Sequence, residues 1–113
     1  MRLAIAALAV LLSSPAAADL ITYQNGDELL GKCGGETDYS NGMCLGYIIG
    51  VSDAVSALEQ TGALPRLVCI PRGATIGQVH AVVVKYLSDN PDQHHYTASS
   101  TVWTALLKAF PCP

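Results

Sequence analysis

Cys44 to Leu58 reads CLGYIIGVSDAVSAL, and the way this stretch folds decides the rest. Leu45, Ile48, Ile49, Val51, Val55 and Leu58 recur close to i, i+3/i+4, i+7, the spacing of an α-helix. The stretch has no proline and one charge, Asp53. Only Ser52, Asp53 and Ser56 break an otherwise apolar circumference, which is the pattern of a buried helix. Gly46, Gly50 and Ala54 fall four apart and carry little side chain. Each mid-helix glycine costs about 0.5–1 kcal/mol relative to alanine, so the stripe predicts close approach of a second helix. The stretch is shorter than the roughly 20 residues that cross a bilayer. It is expected to be the hub of a small bundle.

The flanking sequence supplies three more helices. Asn25-Gly26-Asp27-Glu28 has the form of a capping box, followed by Leu29, Leu30 and Cys33 and stopped by Gly34-Gly35. Glu36 to Gly42 is a polar connector, with Ser40 or Asn41 as the expected cap of the hub and Gly62 as its end. Ala63 to Arg72 is a loop containing Pro65, Pro71 and Cys69. Thr75-Ile76-Gly77-Gln78 is a second capping box, ahead of Val79, Val82, Val83, Tyr86 and Leu87 on one side. The run Val82-Val83-Val84 also suits a strand, but period and cap favour a helix, ended where Asn90 precedes Pro91. Asn90-Pro91-Asp92-Gln93 is a third start signal. The helix behind it carries Ala98, Val102, Ala105, Leu106 and Ala109, with Trp103 and Phe110 beside them and Pro111 as terminator. The fold class is therefore all-α, a disulfide-stapled bundle of about four helices.

Residues 1–18 are expected to be a cleaved signal peptide. Arg2 is the positive start, Leu3 to Leu12 the apolar run and Ala16-Ala17-Ala18 the cleavage site. Residues 19–113 then form one domain without a membrane span. The formal net charge is −3, and one unit more negative without Arg2. Residues 19–59 hold seven acids against Lys32 alone, which disfavours a nucleic-acid surface.

Four cysteines in a small exported domain indicate two disulfides. Cys33 closes the first helix and Cys44 opens the hub; Cys69 precedes the third helix and Cys112 follows the fourth. Joining Cys44 to Cys69 needs the loop after Gly62 to return along the hub, about 22 Å at 1.5 Å per residue. The pairing Cys33–Cys44 and Cys69–Cys112 follows.

Catalysis has little to stand on. No G-x-S-x-G, H-E-x-x-H or phosphate loop occurs, and every cysteine is assigned to a bridge. His94 and His95 are adjacent and splay about 100° apart on a helix, while His80 belongs to another helix, so no metal site and no cofactor are expected. Asp53, the one charge on the hub, is either a buried carboxylate with a raised pKa or a residue on a narrow solvent side.

The string Cys44-Leu45-Gly46-Tyr47-Ile48-Ile49-Gly50-Val51 with Asp53-Ala54 resembles the core motif of the Rap/Tai family of type VI secretion immunity proteins. Further matches follow in order: Cys69-Ile70-Pro71, Thr75 and Gln78, Val83 with Tyr86-Leu87, Asn90-Pro91, His95, Ala98, Ala105-Leu106 and Phe110-Pro111-Cys112. Asn25, Leu29-Leu30 and Cys33 match the family's opening, so the resemblance spans nearly all of residues 19–113. It implies a non-catalytic periplasmic protein that binds a secreted peptidoglycan amidase effector and blocks its active-site cleft. It also implies a possible homodimer. It carries no contact residues. The sequence's own candidate surface is the turn at 88–95, where Asp89, Asn90, Asp92, Gln93 and His94 project between two helices, followed by acidic Glu36 and Asp38. Two alternatives are a holdase-like envelope protein and a small-ligand carrier; the glycine stripe speaks against a hollow carrier.

Non-reducing peptide mapping is expected to recover Cys33 linked to Cys44 and Cys69 linked to Cys112. A Cys44–Cys69 peptide would refute the topology argument.

Overall fold

Side chains of Asn25, Thr37, Thr75 and Thr97 start four helices: α1 (Gly26–Cys33), α2 (Asp38–Gln60), α3 (Ile76–Asp89) and α4 (Ala98–Ala109). The computed structural model describes residues 21–113, so the leader expected at 1–18 lies outside the described residues. Each cap accepts the backbone N–H three residues on, satisfying one of the donors a helix start leaves free. Asn25 with Glu28 and Thr75 with Gln78 complete reciprocal capping boxes. The run Val82-Val83-Val84 is helical, with Val83 fully buried. Gly62, at φ 78°, turns the chain out of α2 in a left-handed conformation suited to glycine.

All four helices feed one core of Leu29, Cys44, Ile48, Val79, Val83, Leu87, Ala98, Val102, Ala105 and Leu106. The bridges are Cys33–Cys44 and Cys69–Cys112, 11 and 43 residues apart in sequence. In the chain-entropy model a loop of the longer kind contributes on the order of 4 kcal/mol. Val68 also pairs with Pro111, with Cys69 N–H donating to the Phe110 carbonyl at 2.7 Å and Cys112 N–H to the Leu67 carbonyl at 3.1 Å. The loop after α2 is thus tied to the end of α4 by backbone as well as sulfur.

Three expectations need correction. First, α2 begins at Asp38 with Thr37 as its cap, not at Ser40 or Asn41, so most of the Glu36–Gly42 connector is helix. Its first turns expose Tyr39 and Met43 and carry no apolar period, which hid them. At 23 residues, with a mean hydropathy of 1.2 over 18 of them, α2 is long and apolar enough to cross a membrane. It sits instead against three other helices through Cys44, Ile48 and Val55.

Second, the small-residue stripe is not a packing surface within the bundle. Gly46, Gly50 and Ala54 are exposed, and a Cβ placed at Gly46 or Gly50 meets nothing within 4 Å. The helix is buried along one edge, not around its circumference. Close approaches fall elsewhere: at Gly26, where a Cβ would meet His94 Cα at 3.2 Å and Leu87 Cδ2 at 3.3 Å, and at Gly35 between α1 and α2, where it would meet Ser40 Cβ at 2.5 Å.

Third, Asn90-Pro91-Asp92-Gln93 does not open the last helix. Pro91–Gln93 is a single 3₁₀ turn, and α4 starts afresh behind Thr97. The carbonyls that would have continued the helix face α1: Gly26 N–H donates to the Tyr96 carbonyl at 3.0 Å and Asp27 N–H to that of His94 at 3.3 Å. Ala98 N–H returns a bond to the Gln24 carbonyl at 3.0 Å.

The cysteines lie at the ends expected of them, although the chain does return along α2. Val68 N–H donates to Glu59 at the end of α2, whereas His80 lies beside Cys44 in its second turn. The return is made between Cys69 and His80, so Cys69 stays at the far end.

With open space around them, Gly46→Ala and Gly50→Ala are each expected to raise stability by about 0.5–1 kcal/mol, and Gly26→Ala to lower it. Urea unfolding of the three variants checks this; a loss at Gly46 would restore the packing-stripe view.

Candidate functional site

The turn between α3 and α4 separates into residues that hold the fold and residues that face water. Asn90 is half-buried, and its Nδ2 donates to the Tyr86 carbonyl at 2.8 Å, closing α3. His94 has a side chain only 16% exposed; Nε2 lies 2.6 Å from the Leu87 carbonyl and Nδ1 lies 3.4 Å from Asp27 Oδ1. Since a carbonyl only accepts, Nε2 carries a proton. Asp89 and Asp92 are exposed; Asp89 pairs with Lys85 at 2.6 Å, and Asp92 accepts from Gln93 Nε2 at 3.0 Å. Of the five residues singled out there, Asp89 and Asp92 are open to a partner, Gln93 is half-buried, Asn90 closes α3 and His94 joins α3 to α1. Glu36 and Asp38 are exposed at the start of α2, and Asp53 is exposed on its outer side rather than buried.

The outer side of α2 is a long exposed strip. Tyr39, Met43, Gly46, Gly50, Ala54 and Leu58 are all exposed and follow one another by three or four residues. At 1.5 Å per residue this strip is about 30 Å long. An apolar groove of about 350 Å³ opens beside it, lined by Val51, Ala54, Val55, Leu58, Leu64 and Trp103. The Trp103 indole N–H is itself buried, with no acceptor among the described residues. A second apolar hollow, about 450 Å³, lies over Pro71, Gly73, Ala74, Val82 and Phe110. Both are open to solvent.

The sequence pattern of the Rap1a immunity proteins matches residues 25–112. The chain belongs to the Rap1a immunity protein family. The match starts at the Asn25 cap and ends at Cys112, so it takes in all four caps and both bridges. No curated protein and no solved structure matches the chain.

In this Rap1a family member the far end of α2 holds a polar cleft of about 460 Å³ bordered by Ser56, Glu59, Gln60 and Arg66. Glu59 Oε1 accepts two backbone bonds, from Leu67 and Val68 N–H, both 2.9 Å. Those bonds hold its carboxyl below the ordinary value of 4.5; partial burial opposes them and Arg66 adds a further downward pull. Sequence reasoning missed Glu59, Gly26 and the His80 contact with Cys44. Each depends on where a distant segment lands, and no local pattern announces that.

Because the folded pKa of Glu59 is depressed, the stability it contributes is complete above about pH 4.5 and is lost as pH falls through the lower folded value. Thermal midpoints of wild type and Glu59→Gln between about pH 7 and pH 3 are expected to converge at the acid end. A difference that stays constant across that range contradicts the assignment.

Proposed function

We propose that this chain is a periplasmic immunity protein that binds a peptidoglycan amidase delivered by a type VI secretion system and occludes its active-site cleft. The match to the Rap1a immunity proteins across residues 25–112 carries the reading. The structure supports a binding role through its rigidity: two bridges and a shared core leave few joints in the bundle. His94 and the carboxylates of Glu28 and Glu59 bond backbone groups, while Asp89, Asp92, Glu36 and Asp38 face water, which favours inhibition by contact over chemistry of its own. Asp89 and Asp92 are the side chains we assign to the effector, with Glu36 and Asp38 as the next candidates. The outer strip of α2, apolar and glycine-notched, is the surface we assign to a second copy in a homodimer.

A small-ligand carrier draws support from the two apolar hollows. Carrier pockets bury roughly 70–90% of their ligand, however, and these lie open on one side.

The mature protein, mixed with a type VI amidase from the same cell, is expected to give a stable complex burying roughly 1,200–2,000 Å² and to protect cells that receive the enzyme. Asp89→Arg with Asp92→Arg is expected to weaken the complex about tenfold or more, the equivalent of 1.4 kcal/mol. Gly50→Glu is expected to split the dimer, read by light scattering, and to leave amidase binding intact. Failure of both binding and protection against every such amidase removes the proposal.

A further inference from the structure

His80 enters in the first turns of α3, and its ring reaches the Cys33–Cys44 bridge. Nε2 lies 3.3 Å from Cys44 Sγ, its one hydrogen-bonding contact among the described residues. The two sulfurs and an imidazole nitrogen all lie within 4.8 Å of one another. They come from three helices, the end of α1, the second turn of α2 and the start of α3. Cys44 is fully buried, while Cys33 and His80 are half-buried, so the cluster has one dry wall and one side open to solvent.

Two thiolates and a neutral imidazole around a tetrahedral cation sit roughly 3.5–4 Å apart at metal–ligand distances of about 2.0–2.3 Å. His80 Nε2 is already near that spacing from Cys44 Sγ, and reduction frees the two sulfurs to part to it. In the oxidised chain the sulfurs bond to each other and cannot ligate. We propose that the reduced chain binds one thiophilic closed-shell cation of the zinc class through Cys33 Sγ, Cys44 Sγ and a His80 ring nitrogen, with water in the fourth position.

The steps balance. A phosphine reductant takes the oxygen of one water and becomes the phosphine oxide, and that water's two hydrogens complete the two thiols. The cation then displaces both thiol protons, and the imidazole coordinates through its lone pair while its other nitrogen keeps its hydrogen. The joint between α1 and α2 is thereby closed in either redox state, by a covalent bond or by a coordinated ion. The inference uses none of the surfaces assigned to the effector.

The test uses the mature protein reduced with a phosphine under anaerobic conditions and titrated with Co²⁺, then Zn²⁺. One equivalent of Co²⁺ is expected to bind with thiolate charge-transfer absorption and the intense visible bands of a tetrahedral site, and Zn²⁺ to displace it. The unreduced protein is expected to bind neither. Cys69→Ser with Cys112→Ser is expected to retain the site. His80→Ala is expected to lose at least about tenfold in affinity, because even the partners of metal ligands are worth 10- to 100-fold. Unchanged affinity in His80→Ala, or dependence on Cys69 or Cys112, overturns the proposal. Helix content is followed by circular dichroism in the same samples. If reduction unfolds the chain, the cation must restore the helices, and failure to do so overturns the proposal equally.

Discussion

A helix of eight residues does not persist alone in water, and α1 is held at both ends. At its start, the carbonyls of His94 and Tyr96 take the N–H groups of Asp27 and Gly26 that no residue of the helix can reach. At its end, Cys33 is bonded to Cys44. Between these clamps Leu29 enters the core against α2, α3 and α4. The segment after α3 is shaped by the same demand. Its carbonyls serve α1 rather than a continuing helix, so the chain breaks into a 3₁₀ turn and is capped again at Thr97. Gly26 is the point where this docking leaves little room for a side chain, since His94 Cα lies 3.2 Å from where a Cβ would stand.

The parts of the fold that local chemistry dictates were legible. Asn25 with Glu28 and Thr75 with Gln78 named their helix starts because a capping box is complete within four residues. Gly62 named the end of α2 for a similar reason. The errors came where a distant segment overrides a local signal. Asn90-Pro91-Asp92-Gln93 has every feature of a helix start, yet its continuation is taken by α1. The glycines of α2 suggested close packing, but sequence cannot say which edge of an apolar helix its neighbours choose, and they chose Cys44, Ile48 and Val55.

The candidate site was legible in a different sense. The stretch that matches the family pattern, residues 25–112, takes in the caps, the shared core and the bridged cysteines, and these specify a shape. Asp89 and Asp92 were found as exposed polar residues, but Asn90 and His94, one step away in sequence, are committed to the fold. Polarity alone could not separate them, because a turn needs side-chain hydrogen bonds as much as a partner does. Fold and function stay separable here: the bundle fixes where the surfaces are, and the chemistry exposed on them decides what they meet.

Trp103 is the one tryptophan in the chain, and it lines the open groove between α2 and α4, its N–H unmet among the described residues. The protein therefore carries a built-in optical reporter at a single known place. Whatever settles into that hollow alters the polarity around one indole, and the shift in its emission registers the event without any attached dye.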